Sequence, residues 1–293
     1  MDETSSINSI IQIINTIFQN FFSSIDNSLY GTLDKLTFID SSILNYSIFK
    51  KIFGTSNTNG LLLLANSLLF GFAIYYAIRL MYSYYINLSI EKPYQFVFKL
   101  IIFGITMNCS YFICKELLEI NSFITDAIRS IGTNLLGKEI CFSELITQLN
   151  KIISINESDF SIFSFDGILK GFISISLFNL IFSYSLRFIM IKVFILLTPF
   201  FILSLINNST SWLFKTWIRT FISLLLQQSL ISIILLIIFS INYSSNNVLD
   251  KIIFIGGIYA LTKTNEYMRS IFGGISTDVS NNLNLASNLL KLK

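Results

Sequence analysis

The sequence predicts an all-α, polytopic helical membrane protein with about five transmembrane helices, or six if one ambiguous segment also crosses, plus amphipathic helices. Three observations support this fold class. Of the 293 residues, 53% are hydrophobic and 13% are charged, which is about half the charged fraction of a typical soluble domain. The mean hydropathy is +0.67. Several uncharged runs reach about 20 residues, the length that a helix needs to cross a bilayer.

The N-terminal region, residues 1–59, is predicted to be amphipathic, helical and extracytoplasmic. Within it, isoleucine and phenylalanine recur at helical spacing over 5–28, and asparagine and glutamine take the other face. This helix is too polar to span, so it lies in the membrane interface or packs on the spans. The first residues are acidic and no cleavage motif follows, so we expect no cleavable signal peptide.

Residues 60–114 are predicted to form the first two spans. The first span covers 60–78 without a charge and ends at Arg79, and tyrosines crowd its far end as an aromatic belt would. The second span covers about 94–114. It contains Lys99 near one end, where the side chain can reach the headgroups.

Residues 115–170 differ from the rest in charge, with eight acidic and five basic residues. They are predicted to form an extracytoplasmic hydrophilic loop that begins with an amphipathic helix. Residues 263–293 are the predicted cytoplasmic tail, rich in asparagine, serine and leucine.

The transmembrane core is predicted over 171–262. Its two clear spans cover about 171–191 and 220–243. A further apolar piece at 252–262 is short for a span. It reaches the required length only if Lys263 extends its side chain to the headgroups and the helix continues.

Residues 193–214 are ambiguous, because they are uncharged and long enough to span but contain Pro199 and a polar stretch. They either cross the membrane or continue the third helix along its inner surface, and Trp212 and Trp217 favour a helix in the interface. Without a crossing here, eleven of the 20 basic residues and only three of the 17 acidic residues fall on one side. The positive-inside rule makes that side cytoplasmic, so we favour five spans with the N-terminus outside and the C-terminus inside.

Catalysis is not expected from this composition. The chain has no histidine, which removes the commonest general base and metal ligand and excludes Ser-His and Cys-His nucleophile pairs. Residues 132–138 read G-x-x-x-x-G-K, but Glu139 stands where a phosphate-binding loop needs serine or threonine. The predicted spans also lack the carboxylates that ion-coupled carriers usually place at membrane depth.

Four basic residues near the inner surface are candidates for a functional role. Arg187 and Lys192 precede Pro199, a predicted helix bend, and Lys215 and Arg219 lie at the same level. They either anchor the topology or form a basic collar at the inner mouth of a path for a polyanion, since phosphate attraction needs only positive charges.

Five amides in the spans have two interpretations. They either hydrogen-bond between helices or give a conduit a polar lining. These residues are Asn66, Asn108, Asn179, Gln227 and Gln228.

The layout resembles that of the TrbL-type polytopic inner-membrane subunit of type IV secretion and conjugation systems. Two spans and the hydrophilic loop at 115–170 precede a helix with an arginine and then a proline, here 187–199 (RFIMIKVFILLTP). A tryptophan-containing segment follows at 212–217 (WLFKTW), and the tail contains a glycine pair at 272–274 (FGG). The resemblance covers about 60–293 and is one of layout and loose motifs.

This resemblance implies a membrane-platform or channel subunit of a conjugative DNA-transfer apparatus in the bacterial cytoplasmic membrane. Such subunits act without catalysis or a cofactor, beside ATPases and other membrane subunits. The resemblance also implies self-association and transient contact with the transferred DNA or protein. The alternative hypothesis is a small-molecule transporter or permease, which predicts inverted repeats and broken helices.

Overall fold

In the computed structural model, every regular element is helical within the described residues, which are 12–17, 20, 31–54, 60–86, 92–152, 164–243 and 247–272. Residues 12–17 and 31–37 are helical, and Ser41–Leu44 is a short 3₁₀ helix. The remaining helices are α1 (Ser47–Phe53), α2 (Leu61–Ile86), α3 (Pro93–Asn108), α4 (Ser110–Leu136), α5 (Phe142–Ile152), α6 (Phe165–Leu203), α7 (Ser211–Ser240) and α8 (Val248–Phe272).

Helices α2 and α3 form an antiparallel hairpin. The amides of Asn66 and Asn108 exchange two hydrogen bonds of 3.2 Å, and the rings of Tyr76 and Phe96 stack with centroids 3.7 Å apart. The hairpin packs on the bundle at the C-terminal end of α6, around Ile202. The amide interpretation of interhelical hydrogen bonding is therefore confirmed for this pair.

The predicted second span at 94–114 is not one straight helix. Helix α3 ends at Asn108, Cys109 leaves helical geometry with ψ near 0°, and α4 continues at an angle of 57°. Helix α4 then passes the predicted start of the outer loop at residue 115 and packs along α7. Its packing face consists of small or polar residues with one leucine: Ser110, Cys114, Leu118, Asn121, Thr125 and Gly132.

Helix α6 joins the predicted third span to the first half of the ambiguous segment. It has 39 residues, which corresponds to a length of about 58 Å. Pro199 lies inside this helix, and the chain reverses only at 204–210, where the Thr210 hydroxyl donates to the Ser204 carbonyl. Residues 193–214 thus form the end of α6, a turn and the start of α7, and not a separate span.

The bundle core consists of α4, α6, α7 and α8. Helix α8 packs closely on α7, where Gly257 lies against Ile238. Among the described residues, α2, α6 and α7 are long and apolar enough to cross a bilayer, and the bent pair of α3 and α4 adds a fourth if it is one span. The described helices therefore do not confirm the predicted count of five or six spans, because charges at both ends of α8 shorten its apolar run.

Candidate functional site

A layer of buried polar side chains crosses the bundle between two apolar clusters. The first apolar cluster includes Leu33, Leu180, Tyr184, Ile231, Leu235 and Leu261. The second apolar cluster includes Ile39, Leu118, Ile191, Phe221 and Leu225. The polar layer lies between them along each chain segment and comprises Thr37, Asn121, Thr125, Arg187, Gln227, Gln228 and Ser229.

Arg187 is the central charge of the polar layer. Its side chain is fully buried, its Nε donates to the Leu224 carbonyl at 2.8 Å, and one terminal nitrogen donates to the Thr37 carbonyl at 3.0 Å. None of the ion pairs among the described residues involves this guanidinium. A buried charge without a carboxylate is costly, and an ionisable residue inside a membrane bundle is by default a functional candidate.

Gln228 binds the same chain segment as Arg187. Its side-chain oxygen accepts the main-chain N–H of Ile39 at 3.0 Å. Residues 37–39 are therefore held through their main chain by α6 and α7. The sequence does not reveal this arrangement, since Thr37 lies 150 positions from its arginine partner.

The segment on either side of residues 37–39 is anchored by side chains. The Asp34 carboxylate accepts the Phe142 N–H at 2.8 Å and the Ser143 hydroxyl at 3.0 Å, which caps the start of α5. The Ser41 hydroxyl donates to Glu119 at 3.1 Å. Residues 34–41 are thus bound to α5 at their N-terminal end and to α4 at their C-terminal end.

Several polar atoms of the layer have no hydrogen-bond partner in the described part of the chain. They are both amide atoms of Asn121, the Gln227 nitrogen, the Thr37 hydroxyl and the second terminal nitrogen of Arg187. Each such group costs about 1–3 kcal/mol when it is buried. Thr125 does have partners. Its hydroxyl donates to the main-chain carbonyl of Asn121 and lies 3.3 Å from the Ser229 hydroxyl.

The four predicted basic residues do not form one group. Arg187 lies in the interior, while Lys215 and Arg219 are exposed on the first turns of α7. Lys192 is half-buried, with its ammonium over the rings of Phe188 at 4.3 Å and Tyr46 at 5.1 Å. A collar that includes the Arg187 side chain is therefore not what the structure shows, because that guanidinium is used by main-chain carbonyls.

The tryptophans of α7 correct the interfacial interpretation. Trp217 is 3% exposed, stacks on Phe221 and donates from its indole nitrogen to the Phe194 carbonyl at 3.2 Å. Only Trp212 is exposed, at 60%. Trp217 is a core residue because α6 and α7 run antiparallel and bring its ring between them.

The G-x-x-x-x-G-K stretch is a helix end. Gly132 is buried against Ile140, and Gly137 ends α4 in the left-handed conformation with φ of 64°. A phosphate-binding loop instead precedes a helix and directs free N–H groups at its ligand. This geometry agrees with the exclusion made from the sequence.

No protein-family model matches the chain, and no curated protein or solved structure is significantly similar to it. The resemblance in layout therefore stays a hypothesis. The polar layer and the exposed hairpin are the features from which function can be argued.

Proposed function

We propose that the protein is a membrane-platform or channel subunit of a type IV secretion apparatus for conjugative DNA transfer, and that it is not an enzyme. The observation that carries this proposal is the surface of the α2–α3 hairpin. In the most apolar 18-residue stretch of α2, only 6% of the residues are buried, against 61% in α7. An apolar surface of this extent fits neighbouring transmembrane helices as well as lipid.

The hairpin packs on its own chain through Ala65, Phe96 and Met107, which form a buried cluster with Ile202 at the end of α6. Ala65 is the only buried residue of α2, whereas its outward stripe of Phe70, Ile74 and Ile78 is more than 60% exposed. We propose that other copies of this chain and other secretion subunits pack on this stripe.

The filled interior also supports a platform role. The Arg187 guanidinium and the Gln228 amide bind the protein's own main chain, and no substrate is needed to satisfy those bonds. A carrier places such groups at an open substrate site near the midplane.

The proposed orientation follows from the charges. We propose a bacterial cytoplasmic membrane location, five spans with α8 as the last, the N-terminus outside and the C-terminus in the cytoplasm. Lys192, Lys215 and Arg219 then lie at the inner surface, where they would attract a transferred polyanion and the phosphates of lipids. Partner ATPases would bind on that side.

The second candidate function is a small-molecule transporter, and the buried Arg187 favours it. A charged residue at membrane depth often marks a substrate path. In that case the arginine and its polar neighbours would bind an anionic solute, and loss of the protein would change solute uptake and not DNA transfer.

The test is a stripe substitution in a conjugative host that carries the gene. The triple variant Phe70→Ser, Ile74→Ser and Ile78→Ser should reach the membrane at normal levels but abolish DNA transfer in mating assays, because the partner surface is lost. The matched control on α6 replaces the exposed Ile168, Phe172 and Ile175 by serine and should retain transfer. Unchanged transfer after deletion of the whole gene would disprove the proposal, and altered solute uptake would favour the transporter.

A further inference from the structure

Residues 37–40 form an irregular stretch between a helix and the 3₁₀ helix. Thr37 and Ile39 are buried, Phe38 is partly buried with the Arg129 guanidinium 4.5 Å from its ring centroid, and Asp40 is exposed. Thr37 ends the helix, so its carbonyl has no partner within that helix, and Arg187 supplies both a donor and a positive charge there. Gln228 takes the next free main-chain group, the Ile39 N–H. No ion pair among the described residues joins this stretch to the bundle.

The polar layer has more hydrogen-bonding groups than this stretch can use. The Asn121 amide, the Gln227 nitrogen and the second terminal nitrogen of Arg187 have no partner in the described chain and no surface that water can reach. A purely structural core would gain stability by replacing such groups with apolar ones. Within the described part of the chain, they find partners only if the segment that covers them moves and water enters.

The two apolar clusters explain why the polar layer is closed to water in this structure. Leu33 belongs to the first apolar cluster and Ile39 to the second, so the segment seals the layer at both levels. Its anchors at Asp34 and Ser41 lie outside the layer and bind α5 and α4. Opening of the Ser41 anchor, a single part-buried hydrogen bond to Glu119, would free the stretch while Asp34 stays in place.

We propose that residues 37–40 are a displaceable plug, held through the main chain by Arg187 and Gln228, that closes a polar passage through the bundle. When the plug withdraws, water reaches the polar layer, and Arg187 faces a path suited to carbonyl-bearing or anionic cargo. This inference does not depend on which transported substrate the proposed function involves.

The experiment measures how fast water-soluble reagents reach the plug. A single cysteine at Thr37→Cys, in a protein whose three native cysteines are replaced by serine, is treated with a membrane-impermeant methanethiosulfonate in proteoliposomes. Thr37 is fully buried and its hydroxyl has no partner in the described residues, so the substitution disturbs little. We expect slow but measurable modification, which Gln228→Met should accelerate about fivefold because one hydrogen bond to the plug is lost.

The matched control is Gln227→Met, an equally buried neighbour whose side-chain nitrogen bonds nothing in the described chain. It should leave the rate within about twofold, since no plug contact changes. A short bis-thiosulfonate bridge between Ser41→Cys and Glu119→Cys should slow the modification of Thr37→Cys, because the bridge restrains the plug. A separate sample, in which Thr37→Cys is modified before the bridge forms, calibrates the rate.

Two results would overturn the proposal. One is a Thr37→Cys thiol that never reacts in the folded protein, which means that the plug stays fixed. The other is an equal rate in Gln228→Met and Gln227→Met, which means that the bond to Ile39 does not control access. If Gln228→Met fails to fold, the comparison of bridged and unbridged protein decides the question alone.

Discussion

The α2–α3 hairpin and the α6–α7 pair are similarly apolar in sequence but differ in how they are packed. In the most apolar stretch, 6% of α2 is buried, against 44% of α6 and 61% of α7. Lipid is as apolar as leucine, so hydrophobicity alone does not drive two helices together inside a bilayer. The comparison shows that residues other than the large apolar ones decide which apolar helices pack in the interior of the bundle.

Small and polar residues mark the packed helices. Helix α7 buries Ser223, Ser229, Ser232 and two glutamines, whereas the exposed stripe of α2 consists of large apolar side chains. Small residues let backbones approach, and polar residues hydrogen-bond between helices. The following substitutions test this difference, in order of decreasing expected effect.

The largest contrast should come from the same substitution in both regions. Leu235 is fully buried in α7 and Leu64 is 57% exposed in α2. Leu235→Ala should lower stability by about 2 kcal/mol because it leaves a cavity, while Leu64→Ala should cost about 0.5 kcal/mol or less. Thermal unfolding of the purified protein in lipid nanodiscs measures both. Equal shifts in Tm would mean that the hairpin is packed as tightly as the bundle.

Adjacent glycines of α8 give the next contrast. A Cβ at Gly257 would lie 2.6 Å from Ile238, whereas nothing lies within 4 Å of one at Gly256. Gly257→Ala should destabilise by about 1 kcal/mol through overpacking, and Gly256→Ala should stabilise slightly because alanine favours helix. The same unfolding assay applies, and a Gly257→Ala protein as stable as the wild type would contradict the close contact of α7 and α8.

The asparagine pair tests what holds the hairpin together. Asn66→Leu and Asn108→Leu each remove both of the reciprocal hydrogen bonds. A double-mutant cycle should give a coupling energy of about 0.6 kcal/mol, as for other hydrogen bonds between membrane helices. A coupling energy of zero would show that the Tyr76–Phe96 stack and apolar contacts suffice.

The smallest effect at neutral pH concerns Tyr243, which follows α7. Burial raises the pKa of Tyr243 to about 12, and Asp250 adds to the rise. Lys138, Lys151 and Glu144 line the same small surface pocket. The fold favours the neutral phenol over the ionised one. Its contribution to folding stability is therefore complete below the ordinary pKa of 10.0 and is lost as the pH rises towards 12.

The measurement is the Tm at pH 8 and at pH 11, for the wild type and for Tyr243→Phe. The variant should lose less stability over this interval, since it has no phenol to ionise. Identical slopes would show that the ring is solvated and that other groups cause the alkaline loss.

The candidate site was only partly predictable. Gln227 and Gln228 stand out in the sequence because amides are rare in apolar runs, and the alternative of a polar lining follows from them. The sequence predicts Arg187 near the membrane surface, because arginine usually ends a span. Its burial depends on carbonyl groups of Thr37 and Leu224, which are distant in sequence and carry no local signal.

The sequence by itself determined the membrane class, the helical fold and the position of the apolar runs, because the bilayer requires long apolar helices with satisfied main chains. Tertiary structure alone decided that residues 193–214 join two helices, that α4 belongs to the bundle and that the N-terminal segment enters the polar layer. These features rest on contacts between distant segments. Hydropathy measures preference for lipid, but packing depends on side-chain size and hydrogen bonding across helices.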